Sequence, residues 1–222
     1  MPTVEWPLLS PLPPPVRAKV LAATRARRYV RGQVVFSEGE PGDTLHLVQS
    51  GRLAVRVSTD SGESAILRIL RPGDAFGELA LLRRGETHQR SASITGLEDV
   101  TTLALGRAAF ASLCATYPQV ERLLMALMAE RIDQLSQRLI EALYVGVERR
   151  IFRRLSELVD IYGAGGGTPV IPLTQDDMAG LAGTTRPTAN QVLQRLASQG
   201  ILTLHRGSME VNDIRALRRG AG

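Results

Sequence analysis

The chain has a single cysteine, Cys114, and a single lysine, Lys19, among 222 residues. A lone thiol forms no internal disulfide and cannot hold a four-cysteine iron–sulfur cluster. The three histidines, His46, His88 and His205, show no metal-ligand spacing. No apolar run approaches the ~18 residues of a membrane span, and the N-terminus lacks a basic-then-apolar signal, so a soluble cytoplasmic protein is expected. No His–carboxylate–nucleophile set and no Walker-type phosphate loop is present, so the chain does not read as an enzyme.

What is present is arginine, which supplies 26 of the 27 basic residues, and a net charge of +5. The excess is unevenly placed. From Arg149 to the end there are ten arginines against six acids, a basic last third suited to a polyanionic partner. A hydrophobic fraction of 44% is that of a folded globular protein, and the length suits one large domain or two small ones.

Residues 1–15 contain Pro2, Pro7, Pro11, Pro13, Pro14 and Pro15 and read as an extended tail or strap. Val16 to Ala26 reads as a short helix. From Tyr29 to Leu105 the pattern becomes strand-length apolar runs, among them Leu45–Val48, Leu53–Val57, Ala65–Leu70 and Thr101–Leu105. Glycines fall between them, and Asp60–Glu63 reads as a hairpin turn. Many short strands at this spacing predict a sandwich or barrel. A short helix over Arg107–Ala115 precedes a long one over 118–147. On the long helix Met125, Met128, Ile132, Leu135, Leu139 and Ala142 recur at coiled-coil spacing. Gly146 reads as a hinge or as the helix end. A basic helix over Glu148–Ile161 and a glycine-rich link at Ala164–Thr168 follow.

Two stretches carry chemistry. In the first, Phe76-Gly77-Glu78-Leu79-Ala80 is followed by Arg90-Ser91-Ala92. Gly77 permits close backbone approach, Glu78 can accept from a sugar hydroxyl, and Arg90 offers a planar fork for a phosphate, with Ser91 adding a hydroxyl. The competing reading is a structural ion pair between Glu78 and Arg90. In the second, Thr174 caps a short helix with Asp177 three residues on, and Gly183 breaks it. Thr185 then caps a second helix with Pro187 in its first turn. That is a helix-turn-helix, whose second helix is expected to present Arg186, Thr188, Ala189, Asn190 and Gln191. The run Gly200–Val211 adds a strand-turn-strand wing.

Together these stretches resemble the cyclic-AMP receptor protein/fumarate-nitrate regulator family of bacterial transcription factors, over nearly the whole chain after residue 15. The lone cysteine sets aside that family's oxygen-sensing branch. The resemblance implies an α+β fold: an N-terminal β-roll (a jelly-roll-like barrel, 16–117), a dimerisation helix (118–147) and a C-terminal winged helix-turn-helix (148–222). It implies a cyclic nucleotide effector, cyclic AMP first, with Glu78 on the ribose 2′-hydroxyl and Arg90 and Ser91 on the cyclic phosphate. Gly77, Leu79, Ala80, Leu135 and Ser136 complete that candidate set, and no cofactor is implied. Arg186 matches the family's base-reading arginine, whereas Gln191 replaces a second family arginine and Pro187 a base-reading glutamate. Thr174, Thr184, Thr185, Thr188, Asn190 and Arg206 are the remaining candidate DNA contacts. The loop from Leu82 to Gln89 is longer than the family's usual one, and Arg68 stands where a smaller polar residue lies near the base.

The expected partners are a second copy of the chain and double-stranded DNA with an inverted-repeat operator. RNA polymerase is admitted as a further one, and no membrane is implied. The alternatives are the same architecture with another effector or none, and a cyclic-nucleotide-responsive regulatory subunit of an enzyme or channel.

Overall fold

The computed structural model describes residues 4–58, 64–82, 89–163 and 167–222. The expected turn at Asp60–Glu63, most of the Leu82–Gln89 loop and the start of the glycine-rich link lie outside the described residues. The chain divides into two compact units, residues 1–58 with 68–134, and residues 135–222 with 59–67.

The first unit begins with a strap. Trp6 donates its indole N–H to Val48 O at 3.1 Å, and Leu9 and Leu12 are buried. The proline-rich segment is therefore held down by apolar side chains set between its prolines. α1 (Pro14–Ala22) is shorter than expected, since the chain turns at Ala23-Thr24 and enters β1 (Arg25–Tyr29). β2 (Val34–Phe36), β3 (Thr44–Ser50), β4 (Leu53–Ser58), β5 (Ser64–Leu70) and β6 (Ala75–Phe76) follow, then α2 (Leu79–Leu82). β7 (Ser93–Gly96), β8 (Val100–Gly106), α3 (Arg107–Thr116) and α4 (Gln119–Tyr144) complete the series.

The strands form two four-stranded sheets, β1-β8-β3-β6 and β2-β7-β4-β5, with every described pairing antiparallel. This is the expected β-roll. Val48, Leu53, Leu70, Phe76, Ile94 and Val100 form one core cluster. A second cluster joins Leu45, Leu47 and Leu105 to the strap, α1 and the start of α4. β3 is thus covered on both faces, which is why Leu45-His46-Leu47-Val48 shows no polar alternation.

Four residues of α4, namely Val120, Leu123, Leu124 and Leu127, are buried in the second cluster. The expected seam is only partly free. Met128 packs against that cluster, while Met125, Ile132, Leu135, Leu139, Ile140 and Leu143 stay exposed. The stripe therefore meets the cluster at Met128 and is exposed at Met125 and from Ile132 onward.

In the second unit, α5 (Val147–Tyr162) starts one residue after Gly146, its N-cap. β9 (Val170–Ile171), α6 (Gln175–Ala182), α7 (Arg186–Ser198), β10 (Leu202–His205), β11 (Ser208–Val211) and α8 (Ile214–Ala221) follow. The strand order is β10-β11-β9. α8, absent from the sequence reading, is capped by Asp213, whose Oδ1 accepts from Ala216 N at 2.8 Å. It docks Leu217 into the core and packs on α5.

One guanidinium ties this unit together. Arg150 donates to Val145 O (2.8 Å) at the end of α4, and to Ala182 O (2.8 Å) and Gly183 O (3.0 Å) at the end of α6. Cationic donors at C-terminal carbonyls satisfy orphaned acceptors and oppose the helix dipole. Nearby, buried Arg154 bridges Glu141 on α4 and Glu157 on α5, and Arg153 also bonds Glu141. The last turns of α4 are thereby fixed to α5 by paired charges.

Candidate functional site

The effector candidates split between the two units. Gly77 to Ala80, Arg90 and Ser91 belong to the first unit; Leu135 and Ser136 fall on the exposed half of α4 that belongs to the second. Gly77 follows β6 with φ +79°. A Cβ built there would lie 2.8 Å from both Arg90 Nη1 and Thr44 O, so the position needs glycine for its conformation and for its space. Glu78 is half-buried in the turn entering α2, and Leu79 and Ala80 form the start of that helix. Burial pushes the Glu78 carboxyl above its ordinary pKa, while its own backbone N–H, Arg68 and Arg90 oppose the rise. Arg68 itself pairs with Asp74 at 3.3 Å.

Arg90 is 7% exposed and sits at the centre. Nη1 donates to Thr44 O (2.9 Å) and Gly77 O (3.2 Å), and Nη2 donates to Thr44 Oγ1 (2.8 Å). The guanidinium lies 3.9 Å over the Phe36 ring. Gly42 makes room for it, since a Cβ there would stand 2.3 Å from Nε. Among the described residues, Nε is buried without a hydrogen-bond partner. Three of the five guanidinium N–H bonds are thus engaged. The remaining two lie on Nε and Nη2, adjacent nitrogens able to grip one oxyanion. An orphaned buried donor beside a half-buried carboxyl fits a ligand that brings both a phosphate and a hydroxyl. Ser91 is exposed at the entry to β7.

The sequence reading missed the support for Arg90. Thr44 and His46 share a face of β3. His46 is 4% exposed and stacks on Phe76, with centroids 4.9 Å apart and planes 12° apart. Its Nε2 lies 3.2 Å from Thr44 Oγ1, and its Nδ1 lies 3.0 Å from Thr102 Oγ1. The available signal was a polar residue inside an apolar strand run, read there only as strand.

In the second unit the capping box is formed. Asp177 N donates to Thr174 Oγ1 (3.1 Å) and Thr174 N donates to Asp177 Oδ2 (2.9 Å). The Thr174 hydroxyl also donates to Asp177 Oδ2 (2.8 Å), so it is engaged at the cap. Gly183 turns the chain at φ +60°, and Thr184 N returns to Ala179 O. Thr185 is the N-cap residue of α7, but its hydroxyl pairs with that of Thr188 at 3.0 Å instead of a backbone N–H. Arg186 and Gln191 are exposed, and Asn190 is partly buried. Ala189 is fully buried with Val192, Leu193 and Leu196, so it belongs to the inner face and not to the presented set. Arg186 Nε rests 3.1 Å from Asp176 Oδ1. Arg206 is exposed in the two-residue turn between β10 and β11, where Gly207 has φ +80°. Arg186, Arg206, Thr174 and Gln175 line one cleft of about 270 Å³ between the start of α6, the start of α7 and the wing. Two exposed guanidinium groups on one cleft suit a polyanion.

A jelly-roll domain joined to a winged helix-turn-helix is the architecture of a DNA-binding transcription regulator. Residues 26–117 match the cyclic nucleotide-binding domain, and residues 149–220 match the Crp-like helix-turn-helix domain. The chain is 33% identical over 207 residues to the cyclic AMP receptor protein of Thermus thermophilus, covering 93% of each. It is 32% identical over 196 residues to a CRP-like cAMP-activated global transcriptional regulator of Mycobacterium tuberculosis, covering 87% of this chain and 86% of that one. The solved catabolite activator protein of Thermus thermophilus is similar at TM-score 0.57 and 32% identity, over 97% of this chain and 98% of that one. A CRP/FNR-family structure from Eubacterium rectale shares the fold at TM-score 0.77 and 20% identity, over 97% and 98%.

The chain belongs to the CRP/FNR family of DNA-binding transcription regulators, a family of transcription factors and not of enzymes. Among the described residues no helix is long and apolar enough to cross a membrane.

Proposed function

We propose that the protein is a homodimeric cytoplasmic transcription regulator switched by 3′,5′-cyclic AMP. The observation that carries the reading is Arg90, buried, with its Nε–H unpartnered among the described residues, beside the half-buried Glu78. A cyclic phosphate would take the free edge of the guanidinium with help from Ser91. The ribose hydroxyl would give Glu78 the donor that its burial calls for. The names of two relatives above 30% identity over most of the chain, a cyclic AMP receptor protein and a cAMP-activated regulator, support the same effector.

Titration calorimetry of the full chain with cyclic AMP, beside Arg90→Ala, tests the reading. Micromolar-range binding that disappears in the variant is expected. Wild-type protein that takes up no cyclic AMP at two temperatures, or a variant that binds equally well, would remove this effector and leave the family membership intact.

On the DNA side, Arg186 and Gln191 are the proposed base readers, and Thr184, Thr188 and Arg206 the proposed phosphate contacts. Two-fold symmetry calls for an inverted-repeat operator with half-sites ~34–36 Å apart. Arg186→Ala is expected to cost about 1–3 kcal/mol on the operator and to relax specificity at one base pair. A gel-shift series on operator and random DNA separates the roles, because equal weakening on both would make Arg186 a phosphate contact. Transcriptional control by such a dimer implies RNA polymerase as a further partner.

A further inference from the structure

We infer that the buried Thr44–His46–Thr102 chain is a positioning device for Arg90, holding its guanidinium in the orientation that receives the effector phosphate. The inference rests on the assignment of Arg90 to a phosphate-bearing effector.

Among the described residues, two of the three acceptors that hold Arg90 are backbone carbonyls, at Thr44 and Gly77, and the third is the side-chain Thr44 Oγ1. A hydroxyl rotates, so its lone pairs face Arg90 only if its proton is directed elsewhere. His46 Nε2, 3.2 Å away, is the acceptor that directs it. The imidazole is neutral near pH 7, because burial, reinforced by Arg90 and Arg27, disfavours the charged form. With Nε2 accepting, the single ring proton sits on Nδ1 and is donated to Thr102 Oγ1 at 3.0 Å. Thr102 is fully buried, so the ring proton it accepts is held away from solvent.

The donors therefore run in one direction, from the Arg90 cation through Thr44 and His46 to Thr102. Such a run is polarised by the cation at its head, and each bond strengthens the next. In the opposite tautomer, His46 Nε2–H and Arg90 Nη2–H would both point at the Thr44 oxygen. The stack on Phe76 fixes the ring plane, which keeps the two ring nitrogens aimed at the two threonines. A histidine that merely filled the core would need no partner at Thr44, on the phosphate side.

The test uses the full chain with Thr44→Val, which keeps the shape and removes the hydroxyl, and Thr44→Ser, which restores it. Calorimetry with cyclic AMP is expected to show about tenfold weaker binding for Thr44→Val and near-wild-type binding for Thr44→Ser. Melting temperatures of the two variants should differ little. Equal affinity in wild type and Thr44→Val, or a Thr44→Ser variant as weak as Thr44→Val, overturns the inference.

Nitrogen-15 spectra of the histidine rings give a readout that needs no effector. They should show His46 as the Nδ1–H tautomer in wild type, and a mixture in Thr44→Val and Arg90→Met. Should wild type take up no cyclic AMP, the effector reading fails on its own, and the spectra decide the positioning role. One unchanged tautomer in all three proteins would overturn it.

Discussion

Leu139→Asp is expected to convert the proposed dimer to a monomer. Leu139 is 60% exposed in the single chain, in line with Ile132 and Leu135 and one turn before Leu143. Four large aliphatic side chains on one exposed helix face favour a partner, and in the proposed dimer a second copy would supply an identical stripe in register. Each buried leucine is worth about 1.5–3 kcal/mol, and the substitution acts twice in a two-fold dimer. Aspartate adds the cost of burying two unpaired like charges at the seam. Dimerisation should weaken by at least about a thousandfold, which is roughly 4 kcal/mol.

Sedimentation at micromolar concentration reads the mass directly. Loss of the dimer should also abolish preference for an inverted repeat over a half-site, because the second recognition helix is no longer tethered. Glu130→Ala, an exposed polar position on α4, serves as the control that retains the dimer. A Leu139→Asp protein with the mass of the wild type would remove this face from the interface.

The sequence was most legible where local chemistry and tertiary role agree. Gly183 marks a backbone conformation that few other residues adopt, and it has positive φ where the pattern placed the break between two helices. Thr174 and Asp177 form a capping box because the residues that make it are adjacent in the chain. Legibility fell where partners are distant in sequence. Thr102 lies 56 residues from His46, and Arg90 lies 46 from Thr44, so no periodicity connects them.

A strand buried on both faces also hides its polar members. His46 lies between Leu45 and Leu47, which face one core, while its ring faces the aromatic pair Phe36 and Phe76. The strap was ambiguous for a similar reason. Its prolines suggest an extended segment, but its fate is decided by Trp6, Leu9 and Leu12 meeting apolar partners elsewhere. α8 escaped notice because its core contribution is a single leucine, Leu217, amid arginines.

His46 sets the largest expected pH dependence of stability. Its pKa in the folded protein is about 4, lowered by burial and by the facing cations Arg90 and Arg27, against an ordinary 6.5. Below pH 6.5 the unfolded chain therefore binds a proton that the folded chain refuses. Stability is fully present above about 6.5 and is lost as pH falls toward 4, where the deficit reaches about 3 kcal/mol at ~1.4 kcal/mol per pH unit. Glu78 acts in the opposite sense. Its raised pKa makes the folded state take up a proton first, which adds stability on acidification just above pH 4.5. The net curve is therefore shallower than that of His46 alone.

His46→Phe separates the two contributions. Phenylalanine keeps a flat ring on Phe76 and removes the titrating group, while Thr102 retains Tyr29. Urea unfolding between pH 7.5 and 4.5 should show the wild type losing about 2–3 kcal/mol more than the variant across that range. Parallel curves for the two proteins would mean that His46 is protonated in the folded state near its ordinary pKa.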